Sequence, residues 1–94
     1  MSEAIEVVLR GEVDLLARDA TAALLEEACS RAGREGAGVV VVLDAVSFMD
    51  STGVACLARA VATLVDPDRL RLRRPTPAVH RLLEVSGFGD LVEP

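Results

Sequence analysis

The run Val39-Val40-Val41-Val42-Leu43 constrains the fold more than any other stretch of this chain. It is continuously apolar and mostly β-branched, whereas a strand wet on one face alternates apolar and polar residues. The run therefore predicts a strand covered on both faces, in the middle of a sheet layered with helices. Asp44 is expected to end it, and residues 45–50 to form a short connection containing Phe48 and Met49.

Glu6-Val7-Val8-Leu9-Arg10 reads as a short strand that Gly11 breaks, and Gly11-Glu12-Val13-Asp14 as a turn-like link. Helix formers then run from about Ala17 to Ala32, with Ala20, Leu24, Ala28, Cys29 and Ala32 at a spacing that can face a core. Gly33, Gly36 and Gly38 surround its stop. A second helix has Val54, Leu57, Ala58, Val61, Leu64 and Val65 on its apolar stripe. Asp50 and Ser51, both good N-cap types, stand just before it, and Asp66-Pro67-Asp68 ends it. Arg69 to Arg73 alternates, which predicts a strand with leucines inward and arginines outward. Thr76 can cap a last helix that has Pro77 at its first position and Val79, Leu82 and Leu83 on its inner face. Gly87-Phe88 reads as a left-handed stop with a contact back onto Leu83. Leu91-Val92 adds a short strand or packs against the core. The order is β-α-β-α-β-α, an α/β class with a small, mostly parallel sheet under about three to four helices, in one domain over residues 1–94.

Charge narrows the function. Ten basic against 15 acidic residues leave a net charge of −5, with 51% hydrophobic residues. An acidic chain lacks the footprint for nucleic acid or for an anionic membrane surface. No apolar run reaches a bilayer's width, and the start lacks a secretory pattern, so a cytoplasmic protein is expected. All ten basic residues are Arg, with no Lys, Asn or Gln, as GC-rich bacterial coding would give. Cys29 and Cys56 form no Cys-x-x-Cys pair and read as reduced packing residues.

A catalytic centre is hard to assemble. His80 is the only histidine, and nothing places it beside a nucleophile. One His and two separated Cys make no metal set, and no glycine-rich phosphate loop is present. Asp44 as a phospho-acceptor would want a lysine near the last strand, and the chain has none. The expectation is a protein without enzymatic activity, metal or cofactor. The cluster Arg69, Arg71, Arg73, Arg74 reads first as a solvated strand face and second as a small docking patch for an acidic partner or a phosphate.

The segment Leu43-Asp44-Ala45-Val46-Ser47-Phe48-Met49-Asp50-Ser51-Thr52-Gly53-Val54 is different in kind. On capping logic alone it is a helix start. It also resembles the signature of STAS domains, in particular bacterial anti-sigma factor antagonists. Gly11-Glu12-Val13-Asp14 resembles the family's Gly-Glu-Leu-Asp element, and residues 75–88 resemble its final helix and stop.

That resemblance implies a serine, matched here by Ser51, phosphorylated by a partner that is both kinase and anti-sigma factor. Unphosphorylated antagonist binds that partner and frees the sigma factor. Phosphorylation releases it, and a separate serine phosphatase resets it. Thr52 is a second-choice acceptor. The expected partner face comprises Asp50, Ser51, Thr52 and Gly53 with Ala55, Cys56 and Arg59, which fall off the core stripe of the helix. An alternative keeps the fold without phosphorylation, as the STAS subunit of a lipid-transport ATP-binding-cassette complex or of a signalling scaffold. Related domains usually open with an extra strand, whereas only about ten residues precede Gly11 here. An open sheet edge would follow, favouring a homodimer or strand addition by a partner.

Overall fold

The Val39–Leu43 run lies at the centre of the sheet in the computed structural model, which describes residues 4–94. Strand β1 (Ile5–Val13), helix α1 (Arg18–Glu35), strand β2 (Val39–Met49) and helix α2 (Ser51–Ala62) come first. A 3₁₀ turn (Pro67–Arg69), strand β3 (Leu70–Arg73), helix α3 (Pro77–Val85) and a second 3₁₀ turn (Gly89–Leu91) complete the chain. The strands lie in the order β1-β2-β3, all parallel. The architecture is thus a small α/β domain of three parallel strands and three helices in β-α-β-α-β-α order.

Both early strands run further than expected. β1 continues through Gly11, which takes a left-handed φ of 69° instead of ending the strand. β2 continues past Asp44 to Met49. The reason is a pair of register shifts. Val8 pairs with Val42 but Arg10 with Ala45, and Gly11 pairs with Val46 but Glu12 with Phe48. Each shift inserts an extra residue in β2, a bulge that bends the strand without unpairing it. Beyond Leu43 the buried positions are therefore Val46 and Met49, three apart, not alternate residues.

Val39–Leu43 is buried throughout, yet helices do not cover both of its faces. Buried side chains from all three helices form one cluster with Val7, Leu9, Val39, Val41, Leu43, Leu70 and Leu72. Val40 and Val42 are buried but stand outside that cluster, on the opposite face. Arg73 covers them. It reaches from beside Val42 to Glu6, two strands away, at 3.1 Å, and to Glu93 at 2.7 Å. The stem of a long ion-paired side chain takes the place of a helix there.

α3 presents the expected face, with Val79 and Leu83 buried and Leu82 packed against them, whereas α1 is turned by one residue and α2 adds small residues to its expected stripe. In α1, Leu25 is 1% exposed and Leu24 49% exposed, with Thr21, Ala28, Cys29 and Ala32 completing the buried stripe and Ala20 outside. In α2 the expected Leu57 is buried and Val54, Val61 and Leu64 pack against the core, with Gly53, Cys56 and Ala60 buried beside them, while Ala58 is exposed and Val65 lies beyond the helix, fully exposed. Small residues face inward where the two helices meet, which lets their backbones approach. The Cys29 thiol donates to the Ala60 carbonyl at 3.8 Å, and the Cys56 thiol to the Arg18 carbonyl at 3.9 Å. Both cysteines are free and buried, and burial pushes each thiol's pKa up.

The stops follow backbone chemistry. Gly36 closes α1 in the left-handed region at φ 66°. Gly87, at φ 87°, follows α3, and the Phe88 N–H donates back to the Leu83 carbonyl at 2.8 Å. Thr76 holds the N-cap position of α3 through backbone geometry, its side chain making no capping bond. Leu91 is buried and Val92 bridges to Leu72, with the Glu93 N–H donating to the Leu72 carbonyl at 2.8 Å, so the tail both packs and pairs against the β3 edge.

Candidate functional site

The C-terminal end of β2 delivers the chain directly into α2, with Asp50 as the single residue between them. Asp50 is the N-cap. Its backbone is extended, and its carboxylate accepts the Thr52 N–H at 2.9 Å. Its own N–H donates to the Val13 carbonyl at 3.5 Å, which ties the helix start to the end of β1. Ser51 is therefore the first helical residue, not a cap.

Gly53 sets how close that helix start lies to the sheet. A Cβ there would fall 2.6 Å from Met49 Cγ, 2.9 Å from Val13 Cγ1 and 3.0 Å from the Val13 carbonyl oxygen. Only hydrogen fits, so the first turn of α2 rests on the ends of β1 and β2. The consequence is a fixed platform with Ser51 on its outer side.

Ser51 is exposed, and among the described residues its hydroxyl has no hydrogen-bond partner. Thr52 and Asp50 are half-buried. Ala55 and Arg59 are exposed at i+4 and i+8 from Ser51, which lines the three up on one face of the helix. Gly53 and Cys56 are not part of that face. Cys56 was expected to point outward; instead it turns to α1 and lines a small groove of about 80 Å³ with Ala22, Leu25 and Ala60. Its position one turn from buried Gly53 and one turn from buried Ala60 places it on the inner stripe.

An exposed apolar rim near Ser51 was not anticipated. Phe48, one residue before the end of β2, is 48% exposed, and Leu15 and Leu16, just past the end of β1, are 64% and 95% exposed. Glu12 pairs with Phe48, and Val13 with Met49, so all three side chains belong to the end of the sheet where α2 begins. The Asp14 turn holds the leucines up, its carboxylate accepting the Ala17 N–H at 3.2 Å. The Leu-Leu pair after a polar turn residue is the signal that marks this patch in the sequence.

The other candidates are absorbed by structure. Arg73 is ion-paired to Glu93 and Glu6, Arg74 approaches Asp44 at 3.7 Å, and Arg69 donates to the Gly36 carbonyl at 2.7 Å. His80 lies 4.0 Å from Glu84 on the half-exposed side of α3. Among the described residues no three His, Cys, Asp or Glu gather as a metal set, and no helix is long and apolar enough to cross a membrane.

A family model described as "Mlab, STAS domain" matches residues 1–93. No curated protein matches the chain. Among solved structures, the anti-sigma factor antagonist SpoIIAA in its unphosphorylated form is similar to this chain at a TM-score of 0.74 and 25% identity, covering 99% of this chain and 80% of that one. The match spans the capped helix start as well as the sheet beneath it. With the family model running over almost its full length, the chain belongs to the STAS domain family.

Proposed function

We propose that this STAS domain is an anti-sigma factor antagonist switched at Ser51. Unphosphorylated, it binds an anti-sigma factor that is also a serine kinase and so releases a sigma factor in the cytoplasm. Phosphorylated, it lets go, and a serine phosphatase restores it. The observation that carries this reading is the uncovered, unpartnered Ser51 hydroxyl at the end of the sheet where Phe48, Leu15 and Leu16 are also exposed. The similarity to SpoIIAA, an anti-sigma factor antagonist with an unphosphorylated form, supports it. The domain acts by binding and does no chemistry of its own.

The physics of such a switch is asymmetric. A phosphoryl group adds roughly −1.5 to −2 charge. On the free domain, the first turn of α2 favours the anion by about 0.3–1 kcal/mol, and Asp50 next door opposes it. In the complex, a partner seated on Phe48, Leu15 and Leu16 would have to bury that dianion unpaired. A loss of ~4 kcal/mol there weakens binding about a thousandfold. The contact face is Asp50, Ser51, Thr52, Ala55 and Arg59 with the apolar rim, and Thr52 is the weaker acceptor because it is half-buried.

The test is intact-mass spectrometry after incubation with the kinase and ATP, alongside affinity measurements. Wild type should gain one phosphoryl group and Ser51→Ala none, and Ser51→Glu should bind the kinase far more weakly than Ser51→Ala. Equal binding of the two folded variants would overturn the electrostatic release.

The rim itself favours a second reading, since apolar contacts need no covalent tag. There the same face docks on the ATPase of a lipid-transport ATP-binding-cassette complex, or within a signalling scaffold. Co-purification with a transporter ATPase, unchanged by Ser51→Ala, would select it.

A further inference from the structure

We propose that the outer edge of β1 pairs antiparallel with the same edge of a second copy of this chain, about a two-fold axis at Val8. β1 is an end strand of the sheet, with β2 on its one paired side. The Ile5 N–H donates to the Gly38 carbonyl on that side, so Ile5, Val7 and Leu9 turn their backbone groups inward. Glu6, Val8 and Arg10 then turn their N–H and C=O groups outward, because backbone direction alternates along a strand. Among the described residues no strand pairs with that edge. The opposite end of the sheet differs, since Val92 and Glu93 reach the β3 edge.

The side chains choose both the occupant and the register. On the face away from the helices β1 presents Glu6, Val8 and Arg10, with Val8 39% exposed. Centring the pair on Val8 sets Glu6 opposite Arg10 of the second copy, Arg10 opposite its Glu6, and Val8 against Val8. Val7 and Leu9 then oppose each other on the helix side. Moving the centre back to Val7 sets Glu6 against an apolar Val8, and moving it on to Leu9 sets Glu6 against Glu12. A one-sided sheet tolerates only registers that keep its buried face on one side. Of those three centres, Val8 alone pairs opposite charges directly across the strands, the arrangement that stabilises antiparallel ladders. Arg10 has no ion-pair partner among the described residues, and Glu6, 57% exposed, keeps an oxygen available beside its contact with Arg73. The two bulges lie in β2 and leave residues 5–10 of β1 regular; Gly11, at φ 69°, marks the far end of the pairable segment. The interface is isologous, and it leaves the Ser51 end of the sheet uncovered.

Sedimentation velocity on the 94-residue chain, over micromolar to millimolar concentrations, tests it. Wild type should show a concentration-dependent dimer. Arg10→Glu sets Glu against Glu and should raise the dimer dissociation constant at least tenfold. Glu6→Arg should do the same by setting Arg against Arg. Mixing the two variants makes every facing pair complementary and should restore a heterodimer. Val8→Lys, which places two ammonium groups at the axis, should abolish the dimer while circular dichroism stays unchanged. A monomer at every wild-type concentration would overturn the proposal. So would a dimer indifferent to Arg10→Glu, or a mixture that forms no heterodimer.

Discussion

Gly53 and Met49 sit so close that a single methyl group on the glycine would come within 2.6 Å of the Met49 side chain. The Val13 carbonyl at 3.0 Å closes the other direction of escape. Gly53→Ala should therefore destabilise the domain by about 1–3 kcal/mol through overpacking. The midpoint of thermal unfolding should fall by roughly 4–8 °C per kcal/mol. Met49→Ala carries its own cost of about 2–5 kcal/mol as a buried side chain, but Gly53→Ala should cost less in that background than in wild type, though not nothing, because the Val13 backbone cannot move aside as a side chain can. Calorimetry on the single and double variants checks both statements.

Asp50 caps α2 through one hydrogen bond to Thr52. Asp50→Ala should cost about 0.5–2 kcal/mol, and Asp50→Asn close to nothing, since Asn caps as well. Urea denaturation of the two variants separates the cap from the charge. A large loss in Asp50→Asn would show that the charge, not the hydrogen bond, holds the helix start.

The buried face of α1 turns on neighbouring leucines. Leu25→Ala should cost about 2–5 kcal/mol, as deletion in a packed core does. Leu24→Ala should stay within roughly 0.5 kcal/mol of wild type. The reverse order in equilibrium unfolding would place the helix one residue round from the position described.

The Arg73 guanidinium, hydrogen-bonded to Glu93, holds the Glu93 carboxyl below its ordinary value of 4.5. A carboxyl lowered by folding contributes stability that is fully present above pH 4.5 and lost as the pH falls through its folded value. Glu93→Gln should be less stable than wild type at pH 7 by roughly 0.2–1 kcal/mol, the range for a partly exposed pair. The gap should close below pH 4.5, which denaturation at several pH values would show.

The element order, the parallel sheet and the Asp50-Ser51 helix start were legible because they depend on local signals: a β-branched run, an N-cap residue, glycines at helix ends. The second half of β2 was not. Its two bulges replace alternation with buried residues at Leu43, Val46 and Met49, and a spacing of three reads as a loop. The face of α3 and most of that of α2 were legible too, but α1 sits one residue round from its expected face, and the small inner residues of α1 and α2 were passed over. Thr21, Gly53, Cys56 and Ala60 are small or weakly apolar, so a hydrophobicity count passes over them, although smallness is what the contact between α1 and α2 uses. Val40 and Val42 looked like residues under a second helical layer, when the face they occupy carries Arg71 and Arg73 of β3 and the ion pair from Arg73 to Glu6. At the candidate site, the exposed helix start at Ser51 and its Asp50 cap were readable, whereas the apolar rim needed the pairing of β1 with β2 to bring Leu15, Leu16 and Phe48 to one end.

The absent methyl at Gly53 also governs what the outside world sees. With the helix floor already resting on Val13 and Met49, the first turn has no slack into which the Ser51 side chain could be drawn. The hydroxyl thus stays on the outside of the domain by construction, held there by a contact on the far side of the helix.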